Sequence, residues 1–161
     1  MLDTQTYKRA CADLHIVLSH VRRRSINANK QELFSKEKNC VEIPAGNDPS
    51  YNCCIGTKLI GSSTQGKIVN GGRYLVVEIR PSIKIKNLLS EEHFDMTKDS
   101  LCKYTQLGWA VVYQKVQGQT CEGTVLLHDL HSKYFNKAHL YVGLSRVTDG
   151  SKVFLARERF P

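Results

Sequence analysis

At 161 residues, 41% of them hydrophobic and 24% charged, the chain has the make-up of one soluble globular domain, or of a domain carrying a small insertion, and not that of a disordered or fibrous protein. Its formal net charge of +8 favours anionic partners, nucleic acid first among them. No secretory apolar core opens the chain and no apolar run is long enough to span a bilayer, so an intracellular protein without a membrane role is expected; nucleus, cytoplasm and a viral replication site all stay open.

In chain order, Asp3 to Leu14 reads as a short helix, HIVLS (His15 to Ser19) as a buried strand and HVRRRSINANKQELF as a helix. A strand feeding directly into a helix opens an α/β layer. From Cys40 to Tyr51 the two prolines, the glycine and the other turn formers of VEIPAGNDPSYN predict a loop. Short strand-like runs follow: TKLIG, KIV, RYLVVEI and SIKIKNLL. Asn70-Gly71-Gly72 between the second and third is a hairpin signal, because asparagine and glycine tolerate positive φ. This block, Ile55 to Leu89, predicts a small antiparallel barrel. After the polar stretch SEEHFDMTKDS the α/β pattern resumes: LGWAVVY as a strand, a loop and a short helix, TVLLHDL as a strand, NKAHLYVGLSRV as a helix and KVFLA as a last strand.

The six cysteines (Cys11, Cys40, Cys53, Cys54, Cys102, Cys121) form no CxxC pair, and two are adjacent, a spacing that suits neither a zinc knuckle nor a disulfide framework. Free thiols in a reducing compartment are expected. His128 and His131 lie three apart without a carboxylate or cysteine to complete a site, so no metal is assigned to them. Arg22-Arg23-Arg24 reads as a solvated basic face, although such a run would also grip phosphate. No GxSxG elbow marks a nucleophilic serine.

Two stretches carry chemistry. QKVQGQT, Gln114 to Thr120, places amides, a lysine and a hydroxyl around Gly118. At a strand–loop–helix junction such a glycine lets backbone N–H groups approach a phosphate. YVGLSRV, Tyr141 to Val147, ends a helix on Arg146, and a guanidinium so placed can neutralise the charge of a transferring γ-phosphate.

Taken together, QKVQGQT, the strand ending TVLLHD and YVGLSRV resemble motifs V and VI of superfamily 1 helicases, most nearly the RecD-like branch. Lys115, Gln117, Gly118 and Thr120 match the first motif; Tyr141, Val142, Leu144, Ser145 and Arg146 match the second. Val112, Gln114 and Val116 depart from the usual threonine, histidine and small hydroxyl residue, and Gly143 replaces the usual alanine. Less specifically, HIVLSHVRRRSIN is similar to motif IV, and Ile55 to Ile79 to the inserted SH3-like 2B domain.

The resemblance implies a RecA-like 2A domain made of residues 1–54 and 90–161, interrupted by an SH3-like 2B barrel at 55–89. It implies the C-terminal motor domain of an ATP-dependent DNA helicase. Arg146 is then the catalytic arginine, with Gln117 and Gly118 beside it at the nucleotide. Tyr113, Gln114, Lys115 and Thr120 face single-stranded DNA, with RNA also open. No GxxxxGK[ST] loop occurs in the chain. ATP and Mg2+ would therefore be held mainly by an N-terminal RecA-like domain of the same protein, and this segment alone should be inactive. A basic module that binds nucleic acid or docks a partner without catalysis is the alternative, as is an RNA helicase of the same superfamily.

Overall fold

The computed structural model describes residues 12–156, which fall into two compact units, 12–23 with 110–156 and 24–109. The helix expected from Asp3 lies outside the described residues up to Cys11.

The first unit is built on a four-stranded sheet. Its strands are β1 (Leu14–Val17), β9 (Ala110–Val112), β10 (Val125–Leu127) and β11 (Val153–Leu155), in the spatial order β11-β10-β1-β9, and every pairing is parallel. The register sets His15 beside Ala110 and Leu126, and Val125 beside Val153. Every residue of β1, β9 and β10 is buried, as expected of strands covered on both faces, while the edge strand β11 is only partly buried. The continuous apolar runs HIV, AVV and VLL therefore specify these strands without any alternation.

Helix α1 (His20–Ser35) follows β1, its first turn anchored where the Ser19 hydroxyl accepts the Arg22 N–H at 3.2 Å. Its apolar residues do not form its buried face: Val21 and Leu33 are 78% and 64% exposed, whereas Asn27 and Gln31, one turn apart, are buried. The Asn27 amide donates to the Leu107 carbonyl at 3.0 Å. Gln31 donates to the Asn52 carbonyl and to Thr57 and accepts from the Trp109 ring N–H at 2.9 Å. Buried amides are tolerated here because their partners are in place.

The second unit is β-rich. Strands β2 (Cys40–Ile43) and β3 (Tyr51–Cys54) form an antiparallel pair, so the loop expected from Cys40 to Tyr51 is in fact a hairpin with its turn formers at the tip. Strands β4 (Lys58–Gly61), β5 (Arg73–Ile79), β6 (Ile83–Asn87), β7 (His93–Met96) and β8 (Thr105–Leu107) make an antiparallel sheet ordered β7-β6-β5-β4-β8. KIV is not one of its strands. It contributes only an isolated bridge, Gln65 to Ile68, and β5 pairs with β4, so the Asn70-Gly71-Gly72 turn closes against Gly61 and Val69 rather than joining two paired strands. Nor does LGWAVVY form one strand: Leu107 ends β8 in this sheet and Ala110 opens β9 in the parallel one.

Helix α2 (Lys98–Tyr104) is capped by Thr97, whose hydroxyl accepts from the Ser100 N–H, with Asp99 in its first turn and Lys103 in its last. Leu59, Tyr74, Val76, Ile83, Ile85 and Leu101 anchor the core of this unit. Ile83 and Ile85 face inward while Lys84 and Lys86 lie half-buried on the opposite face, the period of two that an antiparallel strand imposes.

Candidate functional site

Because β1, β9 and β10 are parallel neighbours, the segments that leave their C-terminal ends emerge along one edge of the sheet. That edge is where open α/β sheets bind ligands. It carries Leu18 and Ser19 after β1, Tyr113 to Thr120 after β9, and His128 and Asp129 after β10.

The chain leaves β9 in a 3-10 turn, Tyr113–Val116, and passes Gln117 to Gly118, whose φ of +75° lies in the left-handed region. Glycine adopts this conformation at no steric cost, and nothing lies within 4 Å of where its Cβ would be, so the loop is open above this residue. No α-helix follows between Gly118 and β10: the helical turn precedes the glycine, and the short helix expected after the loop is absent. Whatever the loop offers a phosphate comes from exposed backbone and side chains, not from a helix N-terminus.

Gln114, Gln117, Gly118 and Thr120 are exposed and Lys115 is half-buried. Gln119 bridges the loop internally, its side-chain amide donating to the Lys115 carbonyl at 3.0 Å. Tyr113 differs from the rest. It is 1% exposed, its hydroxyl donates to the His128 carbonyl at 3.0 Å, and its ring packs edge-on against Phe135 and His139. The nucleic-acid contact expected of Tyr113 is therefore corrected: its aromatic bulk belongs to the core, where burying the ring outweighs any use of its one polar atom.

Arg146 lies just past helix α3 (Lys137–Leu144), which Asn136 caps by accepting the His139 N–H while the His139 ring accepts the Asn136 N–H. The inner face of α3 packs at Gly143, where a Cβ would stand 2.7 Å from Leu127 Cδ2 and 3.3 Å from Tyr113 Cε1. This close approach brings the end of the helix to the loop. The Arg146 guanidinium donates through Nη1 to the carbonyls of Val116 and Gln119 at 3.2 and 2.8 Å, through Nε to Val142 at 2.9 Å and through Nη2 to the Ser145 hydroxyl at 2.7 Å. Its own carbonyl accepts the Cys121 N–H at 2.6 Å. The two stretches singled out in the sequence thus meet, with the arginine clamped across the backbone of the glycine loop.

A second cluster on the same edge was not evident from the sequence. His128 Nε2 lies 2.9 Å from Nδ1 of the buried His15, and His128 Nδ1 lies 3.3 Å from Arg22. Arg22 pairs with Asp129 at 2.5 Å, and the other Asp129 oxygen accepts the Leu18 N–H at 2.7 Å. Asp129 itself sits at φ +64°. His128 pairs with His15, more than a hundred residues away along the chain, while His131 is exposed. The arginine run is similarly divided: Arg22 is paired, Arg23 is 2% exposed and Arg24 is exposed. Among the described residues no group of three or more histidines, cysteines or acids could hold a metal ion.

Elsewhere, the second unit holds a cavity of about 250 Å3 lined in part by Asn27, Gln31, Asp48 and Tyr51. Desolvation pushes the Cys53 thiol up to about 12 and that of Cys40, beside Cys54, up to about 11. Burial likewise raises the Tyr51 phenol. No helix of the described residues is long and apolar enough to cross a membrane.

No protein-family model and no curated protein matches the chain. Among solved structures it is similar to Bacteroides Pif1 bound to ssDNA, with a TM-score of 0.63 and 20% identity over 88% of this chain and 40% of that one. Pif1 helicase from Candida albicans aligns at a TM-score of 0.61 and 15% identity, over 92% of this chain and 46% of that one. Bacteroides sp Pif1 in complex with ADP-AlF4 aligns at 0.56 and 17%, over 96% and 43%. At these identities the likeness establishes the fold: a mixed α/β chain with a parallel sheet similar to that of the RecA-like domain in Pif1 helicases. It does not single out the RecD-like branch. The chain spans less than half the length of each of these helicases.

Proposed function

We propose that this chain is the C-terminal motor segment of an ATP-dependent DNA helicase of superfamily 1, a RecA-like 2A domain carrying an inserted 2B module. The observation that supports it most is the clamp of Arg146 on the carbonyls of Val116 and Gln119, which joins the two motif-like stretches on the ligand-binding edge of a parallel sheet. The fold shared with Pif1 helicases, one of them bound to ssDNA and another to ADP-AlF4, agrees with this reading. The interval 55–89 expected for the SH3-like module falls inside the β-rich unit 24–109, and we assign to it the three strands β4, β5 and β6 of that unit's antiparallel sheet.

In the intact protein, ATP hydrolysis supplies the free energy for unwinding. The residues present here fit a polyphosphate neighbour: the backbone at Gly118 is exposed, its surroundings are open and Gln117 projects beside it. Arg146 is the catalytic arginine in this assignment. Its Nε and Nη1 donors are engaged with carbonyls, so those two nitrogens serve the γ-phosphate only after exchanging those bonds. Gln114, Lys115 and Thr120 contact the phosphates of a single strand, and because they share one short loop with Gln117 and Gly118, movement at either ligand is felt at the other. Mg2+ and its ligands belong to an N-terminal RecA-like domain of the same protein. Binding of the strand is electrostatic, salt-dependent and tolerant of sequence.

The test uses the intact protein that joins this chain to a phosphate-loop domain. Arg146→Ala should abolish DNA-stimulated ATP hydrolysis while retaining single-strand binding; unchanged kcat removes the assignment. Unwinding of matched DNA and RNA duplexes decides the substrate. The 161-residue chain by itself should hydrolyse no ATP, and robust turnover by it would overturn the reading.

A further inference from the structure

Helix α3 has one face that the first unit does not cover. Gly143 and His139 face inward against Leu127, Tyr113 and Phe135. Lys137, Tyr141 and Leu144, at spacings of four and three, fall on one outer stripe. Tyr141 is 74% exposed, Leu144 is 48% exposed, and Tyr134, three residues before Lys137, is 71% exposed. Two tyrosine rings left in water forgo a large burial area, since each can remove about 150–250 Å2 from solvent.

Along the segment that carries these rings the charge is of one sign. From Leu130 to Thr148 there is no aspartate or glutamate, while Lys133, Lys137 and Arg146 are present with His131 and His139. The Lys133 ammonium lies 5.0 Å from the Tyr134 ring centroid, a cation resting on an exposed aromatic face. Exposed rings interleaved with cations along an acid-free segment are the chemistry of a single-strand binder: bases stack on the rings and the ammonium groups meet the phosphates. The surface also adjoins the glycine loop, because Arg146, two residues past Leu144, bonds the Val116 and Gln119 carbonyls.

We propose that Tyr134 and Tyr141, flanked by Lys133 and Lys137, form a base-stacking platform for single-stranded nucleic acid, adjoining the Gln114 to Thr120 loop. The platform rests on the nucleic-acid reading of that loop for its continuity, and on its own residues for its chemistry. It extends the strand's contact from phosphates at the loop to bases on the helix.

Fluorescence anisotropy of the 161-residue chain with labelled 12-mers of oligothymidylate and oligouridylate, at low and moderate salt, tests it. Tyr134→Ala with Tyr141→Ala should weaken binding about ten- to a hundredfold, and the corresponding Phe pair should restore it, because stacking needs the ring and not the hydroxyl. Lys133→Ala with Lys137→Ala should flatten the salt dependence by about 0.7 in the log–log slope per lysine. Lys115→Ala, at the loop, serves as the separate arm. Loss of affinity in the loop variant with none in the tyrosine pair overturns the platform and leaves the loop reading intact. Loss in the tyrosine pair alone supports the platform and removes the loop. An alanine pair that binds as well as the Phe pair also overturns it.

Discussion

Replacing Gly143 with alanine puts the packing of α3 to a direct test, because the substitution restores the residue usual at this position in the helicase motif that it resembles. Two effects oppose one another. Alanine favours a helix interior over glycine by about 1 kcal/mol. Against this, the new methyl would stand 2.7 Å from Leu127 Cδ2 and 2.9 Å from Cδ1, where carbon–carbon contacts optimally lie at about 3.5–4.0 Å. Leu127 is fully buried on an inner strand of the parallel sheet, where moving its branch disturbs packed neighbours. Overpacking of this kind costs about 1–3 kcal/mol. The steric term wins, and Gly143→Ala should destabilise by about 1 kcal/mol, read as a urea midpoint lowered by about 0.5 M at an ordinary slope. Shortening the neighbour should relieve the clash: Leu127→Val alone costs about 1 kcal/mol, but in combination the two changes should be less damaging than their sum by about 1 kcal/mol. A Gly143→Ala protein as stable as wild type, with no coupling to Leu127→Val, would refute the close approach and with it the account of how Arg146 reaches the loop.

Three other outcomes are expected. Arg146→Ala should raise amide hydrogen exchange at Gln119 and Cys121 and destabilise by about 1–3 kcal/mol, through the loss of charge-assisted bonds to two loop carbonyls, and Arg146→Lys should not restore protection, since one ammonium lacks the guanidinium's fork; wild-type exchange in either variant would contradict the clamp. At Asp129, asparagine should cost less than alanine, about 1 against 2–3 kcal/mol by thermal melting, because asparagine tolerates the φ of +64° and can still accept the Leu18 N–H; equal losses would discount that bond. Cys53 and Cys40 bear on alkaline stability. Their thiols titrate at about 12 and 11 in the folded chain, above the unfolded value near 9, so the unfolded chain releases its protons first and stability falls as pH rises from about 9 through 11–12; Cys53→Ala should flatten that loss in denaturation measured across this range, and an unchanged slope would contradict it.

The parts of the fold legible in the sequence are those where one local signal decides the outcome. HIV, AVV and VLL are too apolar to be anything but buried, and RYLVVEI and SIKIKN alternate as half-buried strands do. Strand β7 was concealed because His93 and Asp95 point outward, so HFDM reads as polar although Phe94 and Met96 keep the period of two. The β2–β3 hairpin was concealed by its tip, whose prolines and glycine outweigh two four-residue strands. In the candidate site, QKVQGQT and YVGLSRV could be picked out by their residues, but not the clamp between them. Tyr113 looked available beside a polar loop and proved to be core. The His15–His128–Arg22–Asp129 cluster is assembled by the parallel register, which local sequence does not carry.

The position of β1 has a consequence for how the molecule is made. Both of its neighbours, β9 and β10, lie about a hundred residues further along the chain, with the whole β-rich unit between. As the polypeptide emerges, LHIV has no partner until Ala110 has been synthesised, and it waits as an uncovered apolar strand. The intervening unit pairs only neighbouring segments within itself, apart from the return of β8 to β4, and is placed to fold first. A compact unit draws the two ends of its own segment towards each other, which lowers the entropy that β1 must lose to find β9. The insertion then acts as a tether for the sheet: slowing its folding should lengthen the time that LHIV stays exposed and raise the yield of aggregate, even where the finished structure is as stable as before.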